Sequence, residues 1–102
     1  MPPNLLKINC HNNQLNKLPG LPTKLTCLNC QNNQLLEIPN SLGQCSNLQT
    51  LYCSHNQLTK LPDSFGRCTS AKLQILSCEN NKFAPPLTQD TYNFKKSIIF
   101  LY

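Results

Sequence analysis

The chain has 102 residues, a length that fits one small domain. Nine Lys and Arg against four Asp and Glu leave a net charge of +5, and 39% hydrophobic against 13% charged residues is too apolar and too weakly charged for a disordered chain. No apolar run approaches the about 18 residues of a membrane-spanning helix, and Met1-Pro2-Pro3-Asn4 lacks the basic-then-apolar build of a secretory leader.

Four segments align without gaps. They are Leu5 to Leu15 (LLKINCHNNQL), Leu25 to Leu35 (LTCLNCQNNQL), Leu48 to Leu58 (LQTLYCSHNQL) and Leu73 to Phe83 (LQILSCENNKF). All fit LxxLxCxxNx(L/F), with Ile8 in place of one Leu, and their starts lie 20, 23 and 25 residues apart. Within each segment, alternation of side chains along a strand sends Ile8 and Cys10 one way and Lys7, Asn9 and His11 the other. The same alternation pairs Leu28 with Cys30, Leu51 with Cys53 and Leu76 with Cys78. Four such strands, each too short to bury its own face, form one apolar wall when stacked in parallel about 4.8 Å apart. Between the strands, Leu15, Leu18 and Leu21, then Leu35, Ile38, Leu42 and Cys45, then Leu58, Leu61, Phe65 and Cys68 fill the opposite side. Pro19, Pro39 and Pro62 fix extended turns there. Asn40-Ser41-Leu42-Gly43 and Asp63-Ser64-Phe65-Gly66 read as single helical turns.

This pattern resembles the leucine-rich-repeat family over residues 5 to about 86. The first link, Leu15 to Pro22, is similar to the short 20-residue repeat of bacterial effectors delivered into host cells, and the next two links resemble the generic 23-residue class. The resemblance implies an α/β-type solenoid, a right-handed superhelix with a short parallel sheet lining a concave face. It also implies a buried asparagine ladder, which falls on Asn13, Asn33, Asn56 and Asn81. The domain reading is a four-repeat solenoid over residues 1–86 and a C-terminal cap over 87–102, part helix and part short strand. The cap would draw on Leu87, Tyr92, Phe94, Ile98 and Phe100. With four residues ahead of the first repeat, the N-terminal end reads as uncapped and open to self-association.

The seven cysteines follow the repeat, which argues for reduced core fillers over disulfides or metal ligands. A line of Cys10, Cys30, Cys53 and Cys78 does not offer the tetrahedron that zinc takes. Cys27, three residues from Cys30, falls on the opposite strand face and is the one thiol expected to be exposed. His11 and His55 are expected on the concave face with no Asp or Glu beside them, and three glycines form no phosphate loop, so neither catalysis nor a cofactor is expected. Among the outward strand positions there is one Lys, Lys7, and one Glu, Glu79. The other basic residues fall in turns, flanks and tail, which speaks against nucleic acid as the partner. The function expected is recognition of a partner protein by the concave face, with Tyr52 as the aromatic anchor. His55, His11, Asn29, Gln31, Asn32 and Thr50 would make polar contacts, and Ile75 an apolar one. A self-associating scaffold is the alternative. The expected location is a reducing cytoplasm, that of a host cell if the chain is a translocated effector.

Overall fold

The structure, a computed structural model, describes residues 4–65, 72–83 and 99–101. Each repeat contributes one strand of three residues: β1 (Lys7–Asn9), β2 (Cys27–Asn29), β3 (Thr50–Tyr52) and β4 (Ile75–Ser77). A fifth strand, β5 (Ile99–Leu101), lies beside β4. All neighbours pair in parallel, in the order β1-β2-β3-β4-β5. Four strands were expected to line the sheet; the tail adds the fifth, as its expected last short strand. The rest of the expected cap, with Leu87, Tyr92, Phe94 and Ile98, lies outside the described residues, as does Cys68.

The register makes every row of the sheet one repeat position. Ile8, Leu28, Leu51, Leu76 and Phe100 align in the middle row. Ile8, Leu28, Leu51 and Leu76 are buried beneath the sheet. Leu25, Leu48 and Leu73 lie before the strands and Cys30, Cys53 and Cys78 after them, all in the same core. The far wall is made by Leu18, Leu21, Ile38, Leu42, Cys45, Leu61 and Phe65. Withdrawing a Leu side chain of this kind from water contributes roughly 1.5–3 kcal/mol.

The proline-led links turn as the sequence suggests. Pro39 precedes a 3-10 helix, Asn40–Gln44, and its carbonyl accepts from Leu42 N–H at 3.0 Å. Pro62 carbonyl accepts from Phe65 N–H at 3.0 Å, so the third link starts the same turn. The helical turn expected at Asn40 is therefore of the tighter 3-10 kind, which suits a link of few residues. Gly43 is buried against the next link: a Cβ there would stand 1.9 Å from Ser64 Oγ. Adjacent links pack that closely because this position carries no side chain.

The asparagine column holds successive turns together. Asn33 Oδ1 accepts from Leu15 N–H of the preceding repeat at 3.0 Å, and its Nδ2 donates to Cys10 and Cys30 carbonyls at 3.1 and 3.0 Å. Asn56 repeats this with Leu35, Cys30 and Cys53, and Asn81 with Leu58, Cys53 and Cys78. Asn13 departs from the expected buried ladder. It is exposed, and its described bonds go only to Cys10 and His11 carbonyls of its own turn.

Candidate functional site

Two rows of side chains rise from the open face of the sheet. One contains Lys7, Cys27, Thr50, Ile75 and Ile99; the other contains Asn9, Asn29, Tyr52, Ser77 and Leu101. Strand alternation puts both rows opposite the buried middle row. Cys27, Asn29, Thr50, Tyr52 and Ile75 are half-buried by their neighbours within this surface. Ser77 is buried, its short side chain lying within its row between Tyr52 and Leu101 and donating to Glu79 Oε1 at 3.2 Å.

The expected site residues separate into two groups. Asn29, Thr50, Tyr52 and Ile75 stand on the strands, on the open face as expected. His11, Gln31, Asn32 and His55 do not, because the strands end after three residues and the chain then turns. Asn12, Asn32, His55 and Asn80 share a left-handed backbone with φ of 56–58°, a conformation in which Asn and His are enriched. They form a polar rim at the strand ends. Asn32 Nδ2 donates to Asn12 Oδ1 at 2.7 Å, and Asn80 Nδ2 lies 3.2 Å from His55 Nε2. The two histidines therefore occupy different repeat positions. His11 is half-buried one residue before the left-handed turn and bonds to Asn9 Oδ1, while His55 is exposed within it.

Sequence reasoning missed Ile99 and Leu101. Both are exposed, at 56% and 45%, on the open face of β5. Their alternation about Phe100 was the available signal, but no LxxLxC motif surrounds them.

The buried thiols offer little nucleophilic character. Burial, with a smaller contribution from Cys10, pushes the Cys30 thiol up to about 12. Burial and the adjacent Cys30 and Cys78 raise Cys53 well above the ordinary range. Burial and Glu79 raise Cys78 to about 12. Cys27 is half-buried, not freely exposed as expected, and Cys10 is equally only half-covered because β1 is an outer strand. Among the described residues no group of three or more His, Cys, Asp or Glu could hold a metal ion. No helix among them is long and apolar enough to cross a membrane.

Stacked parallel strands, a link on the far side of each and an asparagine ladder between turns define a repeat solenoid. Comparison with family profiles matches Leucine Rich repeats (2 copies) at residues 23–66 and 46–89, which together take in more than half of the chain. The chain belongs to the leucine-rich-repeat family, whose domains generally mediate protein–protein interaction and are typically non-enzymatic. A leucine-rich-repeat protein of Leptospira interrogans has a similar structure, with a TM-score of 0.83 and 26% identity over 98% of this chain. The chain spans 26% of that protein's length. Comparison with curated proteins finds no match.

Proposed function

We propose that this chain recognises a partner protein through the open, concave face of its sheet. The observation that carries the reading is the in-register surface of Asn29, Thr50, Tyr52 and Ile75, a regular array whose side chains are not needed to close the core. Extended concave surfaces of this kind are the binding faces of solenoids. Tyr52 is central, on the third of five strands, and provides the aromatic anchor. Capture of partners from lysate by the parent chain and by Tyr52→Ala tests the proposal. The variant folds normally and loses the captured partner by about thirtyfold or more, on the order of 2 kcal/mol. Lys60→Ala, in a link, retains it. Loss with Lys60→Ala and retention with Tyr52→Ala would move the recognition surface to the outer side.

A second reading, self-association, rests on the first repeat. Leu6 is 52% exposed, and Leu5, Cys10 and Leu15 are only partly covered, whereas Leu25, Cys30 and Leu35 are fully buried. Leu6→Lys lowers the sedimentation coefficient if this end holds a second copy, and leaves it unchanged if it does not. Action as a translocated bacterial effector on host proteins belongs to the same proposal. It rests on the short first link, and the reduced thiol column suits a reducing cytoplasm. A translocation reporter fused to the chain tests it, and no reporter signal in host cells counts against it.

A further inference from the structure

The open face is chemically asymmetric. At the β1 and β2 end its rows carry Lys7, Asn9, Cys27 and Asn29; at the β3 to β5 end they carry Thr50, Tyr52, Ile75, Ile99 and Leu101. Ile75 and Ile99 are in-register neighbours, about 4.8 Å apart by strand spacing. Leu101 flanks Ser77 on one side and Tyr52 flanks it on the other, so two large side chains stand either side of a buried serine. Further along the chain from β4, Glu79 is half-buried and accepts from Ser77. Among the described residues of the strands β3 to β5 and the two positions beyond β3 and β4, Glu79 is the one charged side chain.

Building on the concave-face reading, we propose that this end of the sheet docks an extended protein segment with two aliphatic or aromatic side chains and one basic side chain, at every second position. Two features select this occupant. The apolar rows leave exposed aliphatic surface that solvated faces ordinarily scatter singly. The rows through Ile75 and Ser77 succeed one another at a two-residue interval, about 6.6 Å, the period of same-face side chains in an extended segment, and the bond from Ser77 holds the Glu79 carboxylate beside them at the strand end. Such a segment aligned with β4 puts one apolar side chain over Ile75 and Ile99 and the next against Tyr52 and Leu101, on either side of Ser77. Its third side chain meets the Glu79 carboxylate, where a lysine or arginine is complementary and an acidic residue is repelled.

The test uses fluorescein-labelled peptides with the core leucine-serine-leucine-serine-lysine, read by fluorescence anisotropy against the full chain. Substituting glutamate for the lysine is expected to weaken binding about tenfold, and Glu79→Lys to invert that order. Ile75→Lys abolishes binding; Thr50→Lys, in the same row, serves if Ile75→Lys does not fold. Equal affinity for the lysine and glutamate peptides, or an unchanged preference in Glu79→Lys, overturns the inference. So does tighter binding of a peptide with the same side chains at helical spacing. A dimer of the parent chain that Ile75→Lys dissociates overturns it in favour of a second copy. If the charge preference is absent but Tyr52→Ala still loses the captured partner, recognition by the concave face stands and this occupant falls. If capture is indifferent to Tyr52→Ala, the broader reading falls.

Discussion

Asn56 clasps the backbone of the preceding repeat at Leu35: its Oδ1 accepts from Leu35 N–H at 3.0 Å while its Nδ2 donates to Cys30 and Cys53 carbonyls at 3.0 and 3.1 Å. A single amide thereby serves groups on both sides of a repeat boundary, past the ends of the paired strands β2 and β3. Truncation leaves the Leu35 N–H without this partner, in an interior where an unmade bond costs its desolvation. Asn56→Ala and Asn33→Ala are therefore expected to lose about 1–3 kcal/mol each. Asn13→Ala, whose described bonds stay within its own exposed turn, loses less. Urea denaturation of the three variants checks the order, and equal losses at Asn13 and Asn56 would show that the clasp across repeats carries no special weight.

The thiol column predicts alkaline sensitivity. Cys30 and Cys78 are pushed from 9.0 up to about 12, and Cys53 well above 9.0, chiefly by burial. Above the unfolded thiol range the unfolded chain has released protons that the folded chain retains. Folding stability is therefore complete below about pH 9 and falls as pH rises toward the folded values. Each thiol contributes a slope of up to ~1.4 kcal/mol per pH unit across that window. Denaturation midpoints between pH 8 and 11 should decline steeply, and less so in Cys53→Ala, which has one thiol fewer. Alkylation at pH 8 should spare Cys30, Cys53 and Cys78 in the folded chain and reach them on unfolding.

Gly43 predicts how tightly the links must pack. A Cβ at this position meets Ser64 Oγ at 1.9 Å, Ser64 Cβ at 2.5 Å and Ser64 backbone carbon at 2.9 Å. The first two can be removed by mutation and the third cannot. Gly43→Ala is expected to cost about 1–3 kcal/mol as overpacking, and Gly43→Ala with Ser64→Gly to recover part of the loss. Thermal unfolding of single and double variants measures this. A neutral Gly43→Ala would mean that the two links can separate without penalty.

What the sequence made legible follows from what repeats. Leu28, Leu51 and Leu76 recur with Cys30, Cys53 and Cys78, so the core row and the sheet register are legible in the repeat itself. The same holds for Asn33 and Asn56. Asn13 is exposed although it shares the motif, because a column is buried only where a neighbouring turn covers it, a property of stacking that a motif does not carry. The tail strand is legible as an apolar run, but which of its residues face outward is not: without the consensus that shapes a full turn, nothing in the sequence fixes Ile99 and Leu101 on the open face. Strand alternation puts His55 on the concave face, yet in the repeat it aligns with Asn12, Asn32 and Asn80. Three asparagines in one column signal a left-handed turn, so this part of the site was legible from turn chemistry and not from strand alternation.

His55 yields the last prediction, since its backbone and its surface role can be separated. Its φ of 56° is the left-handed region, and the equivalent positions are all asparagine, with φ of 58° at Asn12, 57° at Asn32 and 56° at Asn80. Asparagine tolerates this conformation because its short polar side chain hydrogen-bonds locally, whereas a β-branched residue crowds the following carbonyl. His55→Asn is therefore expected to match or exceed the parent in stability, and His55→Val to lose roughly 1–2 kcal/mol. Asn can also replace the Asn80 contact, as Asn12 does for Asn32 at 2.7 Å. Because His55→Asn keeps the turn, its effect on partner capture reports the imidazole alone. Binding unchanged in His55→Asn but lost in Tyr52→Ala would assign recognition to the strand rows and leave the rim as a structural border. Loss in His55→Asn at full stability would extend the contact surface over the rim. A stable His55→Val would sink the conformational argument, since it would show that the turn imposes no left-handed requirement at this position.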